Sequence, residues 1–127
     1  MYLAKIKTEG QNETVFVEAK SYTEVEVMLV QAHPDVNIKS VSPSKLNFVL
    51  KSENDEDECF FKCKIQCIYE DGTKSKLVGL VQCSGIEHGT KRLNDEMSEW
   101  TSSENAIVSM VDTNATAIIS PNVKDEE

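Results

Sequence analysis

The sequence predicts an α+β fold: an antiparallel sheet with two helices packed on it, built from duplicated β-β-α-β units. Three observations predict it. Apolar and polar residues alternate near the start of the chain and again after residue 58, the period of half-buried strands. A Ser-x-x-Glu motif, Ser21 to Glu24 and Ser84 to Glu87, opens a helically spaced segment at the same point in each half. The halves also share one element order, in which Lys5-Ile6 matches Lys64-Ile65 and Ile38 with Ser40 matches Ile107 with Ser109.

Tyr2, Ala4 and Ile6 fall on one side of the first strand. Glu9-Gly10-Gln11-Asn12 reads as a turn, and Thr14 to Ala19 as the second strand with Val15, Val17 and Ala19 inward. Ser21 caps a helix whose buried stripe is Val25, Met28, Leu29 and Ala32. Pro34 ends it, because the residue before proline is pushed out of helical geometry. Val36 to Val41 is a third strand, and Leu46, Phe48 and Leu50 resume alternation after Ser42-Pro43-Ser44. Residues 1–50 form the first repeat, and the acidic run 51–58 is read as an exposed linker with nothing apolar to bury.

The second repeat spans 59–120. Cys59 to Ile68 is a strand with Phe61, Cys63, Ile65 and Cys67 inward, and Asp71-Gly72 turns the chain into Lys76 to Cys83. Ile86, Thr90, Leu93 and Met97 form the helix stripe, followed by strands at Ala106 to Val111 and Ala115 to Ile119. Residues 121–127 are an acidic tail. Sequence leaves open whether the repeats share one sheet or form two.

A length of 127 residues fits a single domain. A net charge of -9 argues against grip on a nucleic-acid backbone or an anionic membrane and suits a protein partner with a basic face. Met1 to Lys5 runs straight into a strand with no secretory pattern, which places the chain in the cytoplasm with reduced cysteines. Cys59, Cys63 and Cys67 lie on one strand, roughly 13 Å between neighbours, too far apart to share a metal ion. They read as small buried side chains, and Cys83 faces one of them across the hairpin. His33 and His88 have no evident catalytic partner, and no glycine-rich phosphate cradle is present. Neither enzyme activity, a metal nor a cofactor is expected.

Two surfaces stand out as binding candidates. Phe16 and Phe60 fall on outward strand faces by alternation; with Trp100 and the acidic residues Asp55, Glu56 and Asp57 they form a candidate protein interface. Lys62, Lys64, Lys74 and Lys76 cluster on the second hairpin of an otherwise acidic chain, near the helix start at Ser84. They form a candidate anion site, completed between protomers of an oligomer.

The run of strand, Ser-x-x-Glu, helix and strand resembles small phage accessory proteins with tandem β-β-α-β units. Glu96-Met97-Ser98-Glu99-Trp100-Thr101 and the acidic ending are similar in style to early proteins of T-even-type phages, a group that includes binders of host RNA polymerase. That resemblance implies a non-enzymatic, host-directed binding protein in the host cytoplasm, with RNA polymerase first among partners. The alternative is an oligomeric sponge that sequesters a nucleotide signal of host antiviral defence through the lysine hairpin.

Overall fold

The computed structural model describes residues 1–54, 56–102 and 104–121. Chain order is β1 (Tyr2–Thr8), β2 (Gln11–Val17), α1 (Tyr22–Ala32), β3 (Asn37–Pro43), β4 (Phe48–Leu50), β5 (Cys59–Ile68), β6 (Lys74–Cys83), α2 (Ile86–Met97), β7 (Glu104–Asp112) and β8 (Ala117–Ile119). The fold is α+β, with two helices and two mixed four-stranded sheets in place of a single antiparallel one. The chain divides into two compact units, residues 1–45 with 115–127 and residues 46–114. No helix among the described residues is long and apolar enough to cross a membrane.

The first unit holds the sheet β3-β1-β2-β8. β1 and β2 pair antiparallel around a two-residue turn in which Glu9 and Gly10 both have positive φ, 49° and 81°. That is the type I′ geometry whose twist matches the strands it joins, and glycine takes it without steric cost. β8 adds parallel to β2, with Val15 opposite Ala117 and Val17 opposite Ile119. Ser21 caps α1 as expected, its Oγ accepting from the Glu24 N–H at 3.2 Å. The helix lays Val25, Met28 and Leu29 against Ala4, Ile6, Val15 and Val17, while Ala32 is exposed.

The second unit holds the sheet β4-β6-β5-β7. β5 and β6 pair along their full length, and β4 adds parallel to β6 with Phe48 opposite Gly79. α2 contributes Leu93 and Met97 to a core of Phe61, Cys63, Ile65, Cys67, Val81 and Cys83. Ile86, expected in the helix stripe, is 55 % exposed. The second cap also differs from expectation. Gly85 is the N-cap and has no side-chain cap bond; the His88 ring reaches back instead, its Nδ1 accepting from the Ser84 N–H at 3.0 Å.

In the first sheet the β1–β3 register shifts between Lys5 and Ile6, which leaves Lys5 opposite Ser40 and Ile6 opposite Ile38. In the second the β5–β7 register shifts between Lys64 and Ile65, which leaves Lys64 opposite Ser109 and Ile65 opposite Ile107. These are the residue pairs matched between the halves in sequence.

Candidate functional site

The second unit carries an open groove of ≈ 570 Å³ lined by side chains at β4, the β5–β6 hairpin and the end of α2. Its volume lies within the span of roughly 300–1,000 Å³ that ligand pockets occupy. Three aromatic rings face it, Phe48, Tyr69 and Trp100, together with Leu77 and the carboxylates of Glu96 and Glu99.

Trp100 is placed by the way α2 ends. Past Met97 the chain tightens, with the Glu99 N–H on the Glu96 carbonyl and the Trp100 N–H on the Met97 carbonyl, both at 3.1 Å. Asn105, on β7, donates from Nδ2 to the same Met97 carbonyl at 3.4 Å. The indole Nε1 donates to Glu96 Oε2 at 3.4 Å, and the ring meets Phe48 edge to face, centroids 5.5 Å apart at 73°. Phe48 owes its place to Gly79. A Cβ at Gly79 would lie inside the space of the Phe48 ring, so the missing side chain is what lets the ring lie across β6.

A second polar cluster lies at the other end of α2. Asp57 is buried within the acidic run 51–58, 6 % exposed. Its carboxylate accepts from Ser52 Oγ and lies 3.5 Å from His88 Nδ1. Gln82 donates to the Asp57 carbonyl at 2.9 Å and accepts from the Ser52 N–H at 3.0 Å. Arg92 donates to the carbonyls of Gln82 and Lys51. Hydrogen bonds thus hold one carboxylate of the run under cover, while its other described residues are exposed or, at Ser52, half-buried. Ser84 Oγ, at 3.1 Å, and Asp57 both approach the same ring nitrogen of His88, Nδ1. A nucleophile–base–acid relay needs the serine and the acid on opposite nitrogens; in this clasp of hydrogen bonds both approach one.

A family model described as "Domain of unknown function (DUF4494)" matches residues 3–122. The chain belongs to the DUF4494 family. No curated protein and no solved structure matches it.

In this DUF4494 domain the residues singled out from sequence separate. Phe16 and Phe60 are buried, 2 % and 3 % exposed, and present no surface to a partner. Asp55 lies outside the described residues, Glu56 is exposed with its N–H on Asn54 Oδ1, and Asp57 belongs to the clasp. Of the described residues of that set, only Trp100 lines the groove. The hairpin lysines do share one sheet face: Lys62 is paired with Leu80, Lys64 with Val78, Lys76 with Gln66 and Lys74 with Ile68. Ser84 is engaged with His88 rather than open to an anion. Sequence reasoning missed Phe48, Tyr69, Glu96 and Glu99 as a set, although Glu96 and Glu99 stand close to Trp100 in the sequence.

The cysteines of the domain are free thiols, Cys59 half-buried and Cys63, Cys67 and Cys83 buried. Cys59 is directly opposite Cys83. Burial pushes the Cys63 thiol from 9.0 up to about 11, and burial also raises Cys83. The reactive thiolate of Cys63 is then roughly 100-fold scarcer than in a free thiol at neutral pH. Iodoacetamide at pH 8 is expected to modify Cys59 first in the folded protein, and all 4 cysteines in urea. Intact-mass spectrometry checks it, and rapid native labelling of Cys63 would contradict it. The raised thiol has a sign for stability as well. Below pH 9 folded and unfolded chains both hold the proton; between 9 and about 11 only the folded one does, so stability falls as pH rises through that window.

Proposed function

We infer that this domain is a non-catalytic binding protein that takes a segment of a partner protein into the Trp100 groove. The observation that carries the reading is the groove itself: three aromatic rings around one opening, with an indole fixed by Glu96 and Phe48. Aromatic side chains held rigid at an opening are the usual anchors of protein recognition. The engagement of His88 by Ser84 and Asp57 at a single nitrogen supports the non-catalytic part. A charge of -9 supports a basic partner over nucleic acid. The resemblance to phage accessory proteins puts a host protein, RNA polymerase first, at the head of the partners to test. The equivalent register shifts at Lys5/Ile6 and Lys64/Ile65 support an origin of the two halves in duplication of one β-β-α-β unit.

The test is affinity capture from bacterial lysate with wild-type protein and Trp100→Ala, both read by quantitative mass spectrometry. One complex enriched by the wild type and reduced roughly tenfold or more by the variant is expected, the loss of about 1.4 kcal/mol or more that a buried aromatic anchor carries. Identical capture by the two, or none, overturns the reading. The second reading, a nucleotide sponge, is supported by the shared face of Lys62, Lys64, Lys74 and Lys76. Calorimetry with nucleotides, together with light scattering for an oligomer, tests it; heat that survives substitution of all four lysines by glutamine would remove it.

A further inference from the structure

The partner's chemistry can be narrowed, on the strength of the binding reading above. We propose that the groove recognises an arginine side chain on the partner segment, its guanidinium held between the rings and the carboxylates of Glu96 and Glu99.

The electrostatics of α2 favour a cation in the groove. The C-terminal end of a helix carries about half a negative charge, and cations are favoured there. Here Asp95, Glu96 and Glu99 crowd that end, and the last turn holds no basic residue. For the isolated protein this arrangement is unfavourable, each like-signed charge costing a few tenths of a kcal/mol or more. Among the described residues, the side chains lining the groove include no lysine, arginine or histidine. The negative field at the opening therefore has no local counter-charge among the lining residues, and a cation entering it relieves the repulsion.

The rings favour a cation as well. A cation over an indole or phenol face is attracted by the ring quadrupole, by about 0.5–2 kcal/mol depending on desolvation. Trp100 and Tyr69 both border the opening, and Tyr69 is 37 % exposed. The hydrogen bond from the indole to Glu96 couples the two elements, since it holds a ring and a carboxylate side by side.

The combination of rings and carboxylates selects arginine over lysine. A guanidinium is planar, stacks on aromatic faces and donates two parallel hydrogen bonds to a carboxylate; an ammonium is a compact, strongly hydrated point charge that gains less from a ring and loses more water. A groove that offers rings and carboxylates together fits the planar cation. Its ≈ 570 Å³ also exceeds what one side chain fills, leaving room for the residues on either side.

The protein contains a single tryptophan, so emission excited selectively at the indole, away from tyrosine absorption, reports this groove. The full chain is titrated with acetyl-Gly-Arg-Gly-amide, with the lysine peptide, and with the citrulline peptide, the neutral isostere, all at matched chloride. The arginine peptide is expected to change Trp100 emission saturably, with the lysine peptide several-fold weaker and citrulline roughly tenfold weaker or more, a difference of about 1.4 kcal/mol. E96Q/E99Q, checked for an unchanged melting temperature, is expected to bring arginine down to the citrulline level. Equal responses to arginine and citrulline, equal responses to arginine and lysine, or an E96Q/E99Q variant that binds arginine as before each overturn the proposal. A partner captured in a Trp100-dependent way that E96Q/E99Q still binds leaves the binding reading standing and overturns only the arginine; capture that ignores Trp100 overturns the binding reading itself.

Discussion

Replacing Gly79 with alanine is expected to destabilise the domain by about 2 kcal/mol and to move Trp100 emission to the red, although alanine is the better strand residue. In a strand interior, glycine to alanine alone gains roughly 0.5–1 kcal/mol, because the unfolded chain loses freedom. At this position the added Cβ meets the far end of the Phe48 ring. The ring can swing away, so the backbone need not move, but its packing is lost. Uncovering a phenylalanine costs roughly 1.5–3 kcal/mol, and the edge-to-face pair with Trp100 a further 0.5–1.5 or so. The losses exceed the gain. The indole then loses one wall and meets more water, which the emission maximum reads directly. Thermal melting and fluorescence of the variant check both halves, and an unchanged maximum with an unchanged melting temperature would contradict them. The variant should also lose arginine binding, since Phe48 and Trp100 border the same groove.

The dependence of Trp100 on Gly79 shows how the groove is assembled. Three parts of the chain meet: residues 47–48, 67–77 and 96–102. None is a binding motif alone. They converge because β4 pairs with β6 and because α2 tightens past Met97 to turn the indole back onto its sheet. One glycine, one three-residue strand and one helix end thus set the position of a single ring.

Much of this fold was legible in the sequence, for reasons that also mark where legibility ends. β1, β2, β5 and β6 are long enough to show a period of two, and α1 announces itself through Ser21. β4 and β8 were legible as strands, from Leu46, Phe48 and Leu50 and from Ala115 to Ile119, but they pair parallel to strands distant in sequence, which a pattern within one strand does not show. Two mixed sheets therefore could not be read from alternation. Alternation also says on which face Phe16 lies, not whether that face is covered; Val15, Phe16 and Val17 are all buried. The Ser84 motif read as a capping box, yet the helix begins one residue later, because His88 supplies the return bond that Glu87 was expected to make. Trp100 was legible as a candidate, while Phe48 and Tyr69 reach it only through tertiary pairing. Asp57 looked like one more solvated acid in a run of them, and only the positions of Ser52, Gln82 and His88 explain its burial.

Ending the chain after Asn114 is expected to remove most of the stability of the first unit and little of that of the second. The first unit is discontinuous, closed by residues that follow the whole of the second. Without them β2 loses its parallel neighbour, and the bonds from the Thr116 N–H to the Thr14 carbonyl, 2.9 Å, and from the Glu18 N–H to the Ile119 carbonyl, 2.8 Å, disappear. Ala117 and Ile119 leave the cluster built on Val15, Val17 and Leu29. Two backbone bonds at about 1 kcal/mol each and an isoleucine at roughly 1.5–3 sum to about 4 kcal/mol. Folded domains hold only about 5–15 in total. The newly bare edge of β2 carries Val15, Phe16 and Val17 in a row, which invites edge-to-edge association. Urea unfolding read by far-ultraviolet circular dichroism is expected to show an early transition, or none, for the elements of the first unit. Trp100 emission, which belongs to the second unit, is expected to keep its midpoint. A truncated chain with the full-length dichroism midpoint would contradict the role given to β8, and a Trp100 transition that moves with the first would show instead that the two units unfold as one.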